Sequence, residues 1–190
     1  MPGTGVQYLA LLRGINVGGK NKVKMDDLRP TFEGMGFADV ATYINSGNVL
    51  FRAPRKKAGE LAAQIERALK KRFGTDLKVV LVTEAQLRAV VEAAPGGQEF
   101  GTDELRSDVI FLRKPLTPAK AFGVVELKDG VDRAWKGKGV LYFSRLTARA
   151  TSSRMNKIVG TPEYQDMTIR SWSTTTKLLA LMDERASGSA

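Results

Sequence analysis

The sequence predicts an α+β fold made of two βαββαβ halves side by side, each followed by an extra helix, and three observations predict it. Apolar runs of strand character alternate with helically spaced segments in the order strand–helix–strand–strand–helix–strand. The same order returns after residue 107, as a repeat of elements rather than of residue identity. The composition is globular, with 43% hydrophobic and 26% charged residues in 190, enough to form sizeable cores. The halves are expected at residues 1–94 and 108–185, joined by a linker at 95–107 (within APGGQEFGTDE and its flanks) and followed by an unstructured tail, ASGSA, at 186–190.

Each element has its own warrant. Residues 6–13 form an extended apolar run ending at Gly14. Met25, Leu28, Phe32 and Met35 follow helical spacing behind Asp26 and Asp27, which suit a helix N-terminus, and Pro30 should delay or bend that helix. Residues 39–45 and 48–53 read as paired strands around a two-residue Ser46-Gly47 turn, with Gly47 supplying a positive φ. Leu61, Ile65, Ala68, Leu69 and Phe73 mark the apolar face of a second helix, and residues 78–82 are a β-branched strand. Thr83 and Gln86 have the spacing of a capping box for a third helix carrying Leu87, Val90 and Val91. In the second half, strands are expected at 108–113, 131–136, 140–144 and 167–170. Helices are expected near 117–122, around Met155, Ile158 and Val159, and at 177–183, with Ser173 or Thr174 as the last N-cap. βαββαβ is the split-βαβ, ferredoxin-like arrangement, with strands one and three at the centre of an antiparallel sheet.

Chemistry is bounded by what the chain lacks. It contains neither His nor Cys, so zinc sites built on imidazole or thiolate, iron–sulfur clusters, cysteine nucleophiles and histidine triads are excluded, and disulfides cannot form. No cofactor and no metal are expected. The absence of Cys, of a long apolar run and of a basic leader favours a cytoplasmic location with no membrane span. The formal charge of +10 favours polyanionic partners. Two stretches hold basic residues and no acid: residues 1–25, with Arg13, Lys20, Lys22 and Lys24, and residues 133–157, with Arg133 through Lys157.

Three segments carry candidate binding residues. Gly14 to Lys20 fits the G-x-x-x-x-G-K part of a phosphate loop, but Asn21 stands where Ser or Thr would hold magnesium, and no helix follows at once. A looser anion cradle remains, from Arg13, Asn16, Gly18, Gly19 and Lys20. Asn45, Ser46 and Asn48 put amides and a hydroxyl at a sheet end beside that loop. Arg170 and Trp172 precede a helix N-terminus, where a guanidinium and backbone N–H groups suit a phosphate or carboxylate. At least one of Arg13 and Arg170 is expected to bind an anion in a cleft shared by the halves.

The run from Tyr8 to Phe51, above all residues 11–25 and 43–49, resembles the opening of the bacterial domain-of-unknown-function family 1697. TIRSWSTTTKL, from Thr168, resembles the family's closing T-x-R-N-W-N-T motif, with Ser171 and Ser173 in place of both asparagines. The resemblance implies an α+β, ferredoxin-like pair and supplies no reaction.

The function expected is binding of an anionic ligand, a phosphate-containing small molecule or nucleic acid, through these Gly-, Asn- and Arg-rich loops. Nucleic acid is the less supported partner, because an RNA-recognition strand shows several exposed aromatics and here Phe51 stands alone. The alternative is an enzyme for a small anionic substrate, with Lys20, Asp26, Asp27 or Tyr43 moving the proton. Either a monomer or a homodimer fits the sequence.

Overall fold

In the first half the most continuous apolar runs, VQYLALL and NVLFRA, become β1 (Val6–Leu12) and β3 (Asn48–Ala53). Strands apolar on both faces belong inside a sheet. The order is accordingly β2-β3-β1-β4, with β2 (Ala38–Tyr43) and β4 (Val79–Thr83) at the edges and all neighbours antiparallel. The computed structural model describes residues 5–15 and 23–187. α1 (Met25–Glu33) and α2 (Ala58–Phe73) cover one sheet face, enclosing Tyr8, Ala10, Leu12, Phe32, Phe51 and Ile65. Phe51 stacks on Tyr8 and Phe37 within this core, so it is no platform for a base. Leu9, Leu11 and Leu50, on the opposite face, are buried too.

Local chemistry sets the ends of these elements. α1 begins at Met25, ahead of Pro30 rather than delayed by it, and ends within a turn after it. α2 carries Glu60 in its first turn and Lys70, Lys71 and Arg72 in its last, complementing the helix dipole, and stops at Gly74 in the left-handed conformation. β2 contains one extra residue against β3 between Ala38 and Ala41, and Asp39 takes a positive φ of 50° at this bulge. The capping box forms: Thr83 N–H donates to Gln86 Oε1 and Gln86 N–H to Thr83 Oγ1, opening α3 (Glu84–Glu92).

The second sheet repeats the first, in the order β6-β7-β5-β8, from β5 (Leu105–Leu112), β6 (Asp132–Lys136), β7 (Val140–Leu146) and β8 (Met167–Ser171). α4 (Pro118–Gly123) is capped by Thr117, whose hydroxyl accepts from Lys120 N–H. α5 (Trp172–Ser187) ends the described chain. Residues up to Leu87, with those from Ala180 onward, form one compact unit, and Arg88–Leu179 form another. In the first unit α5 is held by Gln7, whose Nε2 donates to the Met182 carbonyl. Among the described residues no helix is long and apolar enough to cross a membrane.

Three local expectations are corrected. The β2–β3 turn has four residues, 44–47, rather than two, because Tyr43 and Asn48 are the last paired residues and Ile44 leaves the strand at φ 48°. The helix expected around Met155 and Ile158 is instead a series of 3₁₀ segments, Thr147–Ser152, Met155–Gly160 and Pro162–Asp166. There Ser153 Oγ takes the Met155 N–H, Thr161 Oγ1 donates back to the Ile158 carbonyl, and Pro162 forces Thr161 into an extended conformation. The N-cap of α5 is Ser171, not Ser173 or Thr174: its Oγ accepts from Thr174 N–H, and the cap lies two residues before Ser173 and three before Thr174.

Candidate functional site

The first candidate cluster forms where β1 leaves its sheet. Leu12 N–H donates to the Gly47 carbonyl at 2.8 Å, and Arg13 N–H to the Lys78 carbonyl at 2.9 Å, so the strand exit is tied to the turn on one side and to the start of β4 on the other. Gly14 then turns the chain at φ 69° and Ile15 is buried. Gly47, at φ 76°, lies so close that a Cβ there would stand 2.6 Å from Ile15 Cδ1 and 2.8 Å from Leu12 Cβ. Both the sign of φ and the space demand glycine.

Within the turn, Asn48 is fully buried and its Nδ2 donates to the Tyr43 carbonyl at 2.9 Å and to Ser46 Oγ at 3.0 Å. Its amide thus closes the loop from inside. Asn45 and Ile44 are exposed, and Ser46 and Arg13 are half-buried. Ile44, 49% exposed, holds a left-handed conformation that a β-branched side chain rarely adopts. The structure therefore brings the Gly14–Ile15 exit against the turn that carries Asn45, Ser46 and Asn48. Asn16, Gly18, Gly19 and Lys20 lie outside the described residues. Of the proton-transfer candidates, Asp27 pairs with Arg72 at 3.1 Å, Asp26 is exposed at the start of α1 and Tyr43 closes β2, while Lys20 again falls outside the described residues.

Arg170 and Trp172 stand in the second unit. Arg170 is opposite Val109 on β5, is only 8% exposed, and donates through Nη1 to the Ile169 carbonyl at 2.9 Å. Burial lowers its guanidinium to about 10, which leaves it charged at neutral pH. Trp172 packs edge-on against Phe100, whose ring also meets Trp135 and Tyr142. Gly101, at φ 74°, backs onto the Trp172 indole: a Cβ there would be 2.6 Å from Nε1. Tyr142 buries its hydroxyl on the Val90 carbonyl at 2.6 Å, and burial raises that phenol above its ordinary range. Trp172 is therefore part of an aromatic cluster whose centre, Phe100, comes from residues 95–107.

Sequence reasoning missed a charged group on β5 and β7. Arg106 and Arg145 face each other across the two strands, and Arg145 Nη1 binds Asp108 Oδ2 at 3.0 Å. Burial raises the Asp108 carboxyl above the usual carboxylate range, against the pull of Arg145 and Arg106. The signal was available: Arg106, Asp108, Ile110 and Leu112 continue a single period-two series, which starts upstream of residue 108. Among the described residues no group of three or more carboxylates gathers as a metal site would require.

No curated protein matches the chain. A solved structure, that of a conserved bacterial protein from Streptococcus pneumoniae, is similar with a TM-score of 0.80 and 26% identity, over 94% of this chain and 99% of that one. A family model described as a protein of unknown function, DUF1697, matches residues 6–142. The β1 exit and the Tyr43–Asn48 turn fall inside that match, and the chain belongs to this family.

Proposed function

We propose that the protein binds a small phosphate-containing molecule at the loop cluster where β1 ends. The observation that carries the reading is the contact of Gly47 with Leu12 and Ile15. It sets the exposed Asn45 and half-buried Ser46 beside the strand exit from which the Gly18-Gly19-Lys20 segment departs in sequence. Amides, a hydroxyl, glycine backbone and the basic residues Arg13 and Lys20 are a suitable donor set for an oxyanion. The strained Ile44 in the same turn agrees with this reading, since such backbone persists where a loop shape is required. Arg13 is favoured over Arg170 as the ligand's guanidinium, because Arg170 is 8% exposed.

A small ligand is favoured over nucleic acid because Leu9, Leu11, Leu50 and Phe51 are all buried, leaving bases no exposed aromatic on the central strands of the first sheet.

Thermal-shift measurement against inorganic phosphate, sugar phosphates and nucleotides tests the reading. A ligand at one hundred times its Kd adds about 2.7 kcal/mol, and a chain of this size shifts by about 2–4 °C per kcal/mol. The expected outcome is a rise of several degrees with at least one phosphorylated compound, reduced in Arg13→Ala and Asn45→Ala but kept in Arg170→Ala. A rise indifferent to Arg13 and Asn45, or none with any compound, would falsify the site.

A further inference from the structure

We infer that the second unit carries a separate phosphate-binding pocket, built on Arg106 and Arg145. A cavity of about 230 Å³ opens there, lined by both arginines, Thr151, Ser153 and Asn156, with Met155 among its apolar walls. Every one of these residues belongs to the unit formed by Arg88–Leu179.

The internal repeat shows how unusual this position is. In the first sheet, Tyr8 pairs with Phe51 and Thr83, and Val6 with Ala53. In the second, Asp108 pairs with Phe143 and Ser171, and Arg106 with Arg145. The registers correspond strand for strand, so Val6, Tyr8 and Ala53 have Arg106, Asp108 and Arg145 as their counterparts. Where the first unit places the 16-residue helix α2, the second places short 3₁₀ segments. An apolar row under a helix has become a charged row beside a pocket.

The open hydrogen-bond donors then point to the occupant. Like charges directly opposite on neighbouring strands repel. Asp108 answers one of the two arginines, through Arg145 Nη1, with both side chains largely buried. Among the described residues that is the one hydrogen bond of the Arg145 guanidinium, and the Arg106 guanidinium makes none. Asp132 stands opposite Arg145 on β6 but spends its Oδ2 on backbone N–H groups, so the donors of the Arg106 guanidinium remain open to the pocket.

The wall is held in place by Asp132, whose Oδ2 accepts from Lys128 N–H and Arg154 N–H, both at 2.9 Å. Thr151 and Asn156 add a hydroxyl and an amide from that wall, with no hydrogen bond of their own among the described residues. Donors from a strand pair and from a facing wall suit a tetrahedral oxyanion better than a planar one, and the volume admits a phosphate with a small body attached.

The test is titration of the full chain with inorganic phosphate, sulfate and acetate, following backbone amide shifts. Phosphate is expected to move the amides of residues 106, 145 and 151–156. Arg106 is exposed, so Arg106→Gln should melt like wild type and bind phosphate about tenfold more weakly, the loss of one charge-assisted contact. Arg13→Ala, at the strand-exit cluster, should leave these shifts intact, which separates this pocket from the function proposed above. Unmoved amides at tens of millimolar phosphate, an unchanged affinity in Arg106→Gln, or equal responses to acetate and phosphate would overturn the assignment.

Discussion

Asp108 shows how one side chain answers to two opposing forces. Burial raises its carboxyl, while Arg145 and Arg106 pull it down, and burial prevails. A carboxyl whose folded pKa lies above its unfolded value holds its proton more tightly in the folded state. Its contribution to stability therefore falls as pH rises from the ordinary carboxylate range through the raised value. Asn at this position cannot titrate, and all other groups cancel between the two proteins to first order. The difference in unfolding free energy, wild type minus Asp108→Asn, is expected to decline with rising pH across the mildly acidic range and then level off. Urea unfolding at a series of pH values measures it, and a difference that rises with pH would contradict the burial-dominated reading.

At the scale of the element, the start of α5 is the clearest case of sequence logic shifted by two or three residues. Ser171 Oγ accepts from Thr174 N–H at 3.2 Å and donates to Thr174 Oγ1 at 2.9 Å, so position 171 does the capping that Ser173 or Thr174 was expected to do. Ser and Asn are equivalent N-caps, so an Asn at position 171 would serve the same role. Ser171→Ala is expected to cost about 1 kcal/mol, and Ser171→Asn to stay within a few tenths of wild type. Denaturant midpoints at constant m-value measure both; equal losses for Ala and Asn would show that the hydroxyl serves something other than the cap. The β2–β3 turn belongs to this scale as well. Its length is set by Asn48, whose buried amide holds the Tyr43 carbonyl and so ends pairing there.

For the whole molecule, net charge and fold make different statements. The charge of +10 favours association with polyanions, and burial of Leu9, Leu11, Leu50 and Phe51 removes stacking on the first sheet. Association with oligonucleotides should then run through phosphate contacts alone. Single-stranded and duplex probes are expected to lose affinity together, by more than about tenfold between about 50 and 200 mM salt. Fluorescence anisotropy of labelled probes reads this directly. A salt-resistant component, or a strong preference for one base composition, would reveal a stacking or base-reading surface.

Element type and order were legible in the sequence wherever a segment's own side chains decide its conformation. β1 and β3 are apolar throughout, α2 has Leu61, Ile65 and Leu69 on one face, and the Thr83–Gln86 capping box forms as its spacing implies. The pairing of strands one and three at the sheet centre followed from the order alone. The candidate site was legible only in part: the turn and the strand exit were expected to meet, but not that Asn48 would be spent inside the turn. Tertiary structure decided what depends on partners distant in sequence. Phe100 became the centre of an aromatic cluster because Trp135, Tyr142 and Trp172 arrive around it. Arg106 met Arg145 only through the β5–β7 register. Periodicity reports which face a residue takes; which charges share that face is settled only when strands pair, because cross-strand neighbours are separated by whatever length of chain lies between them.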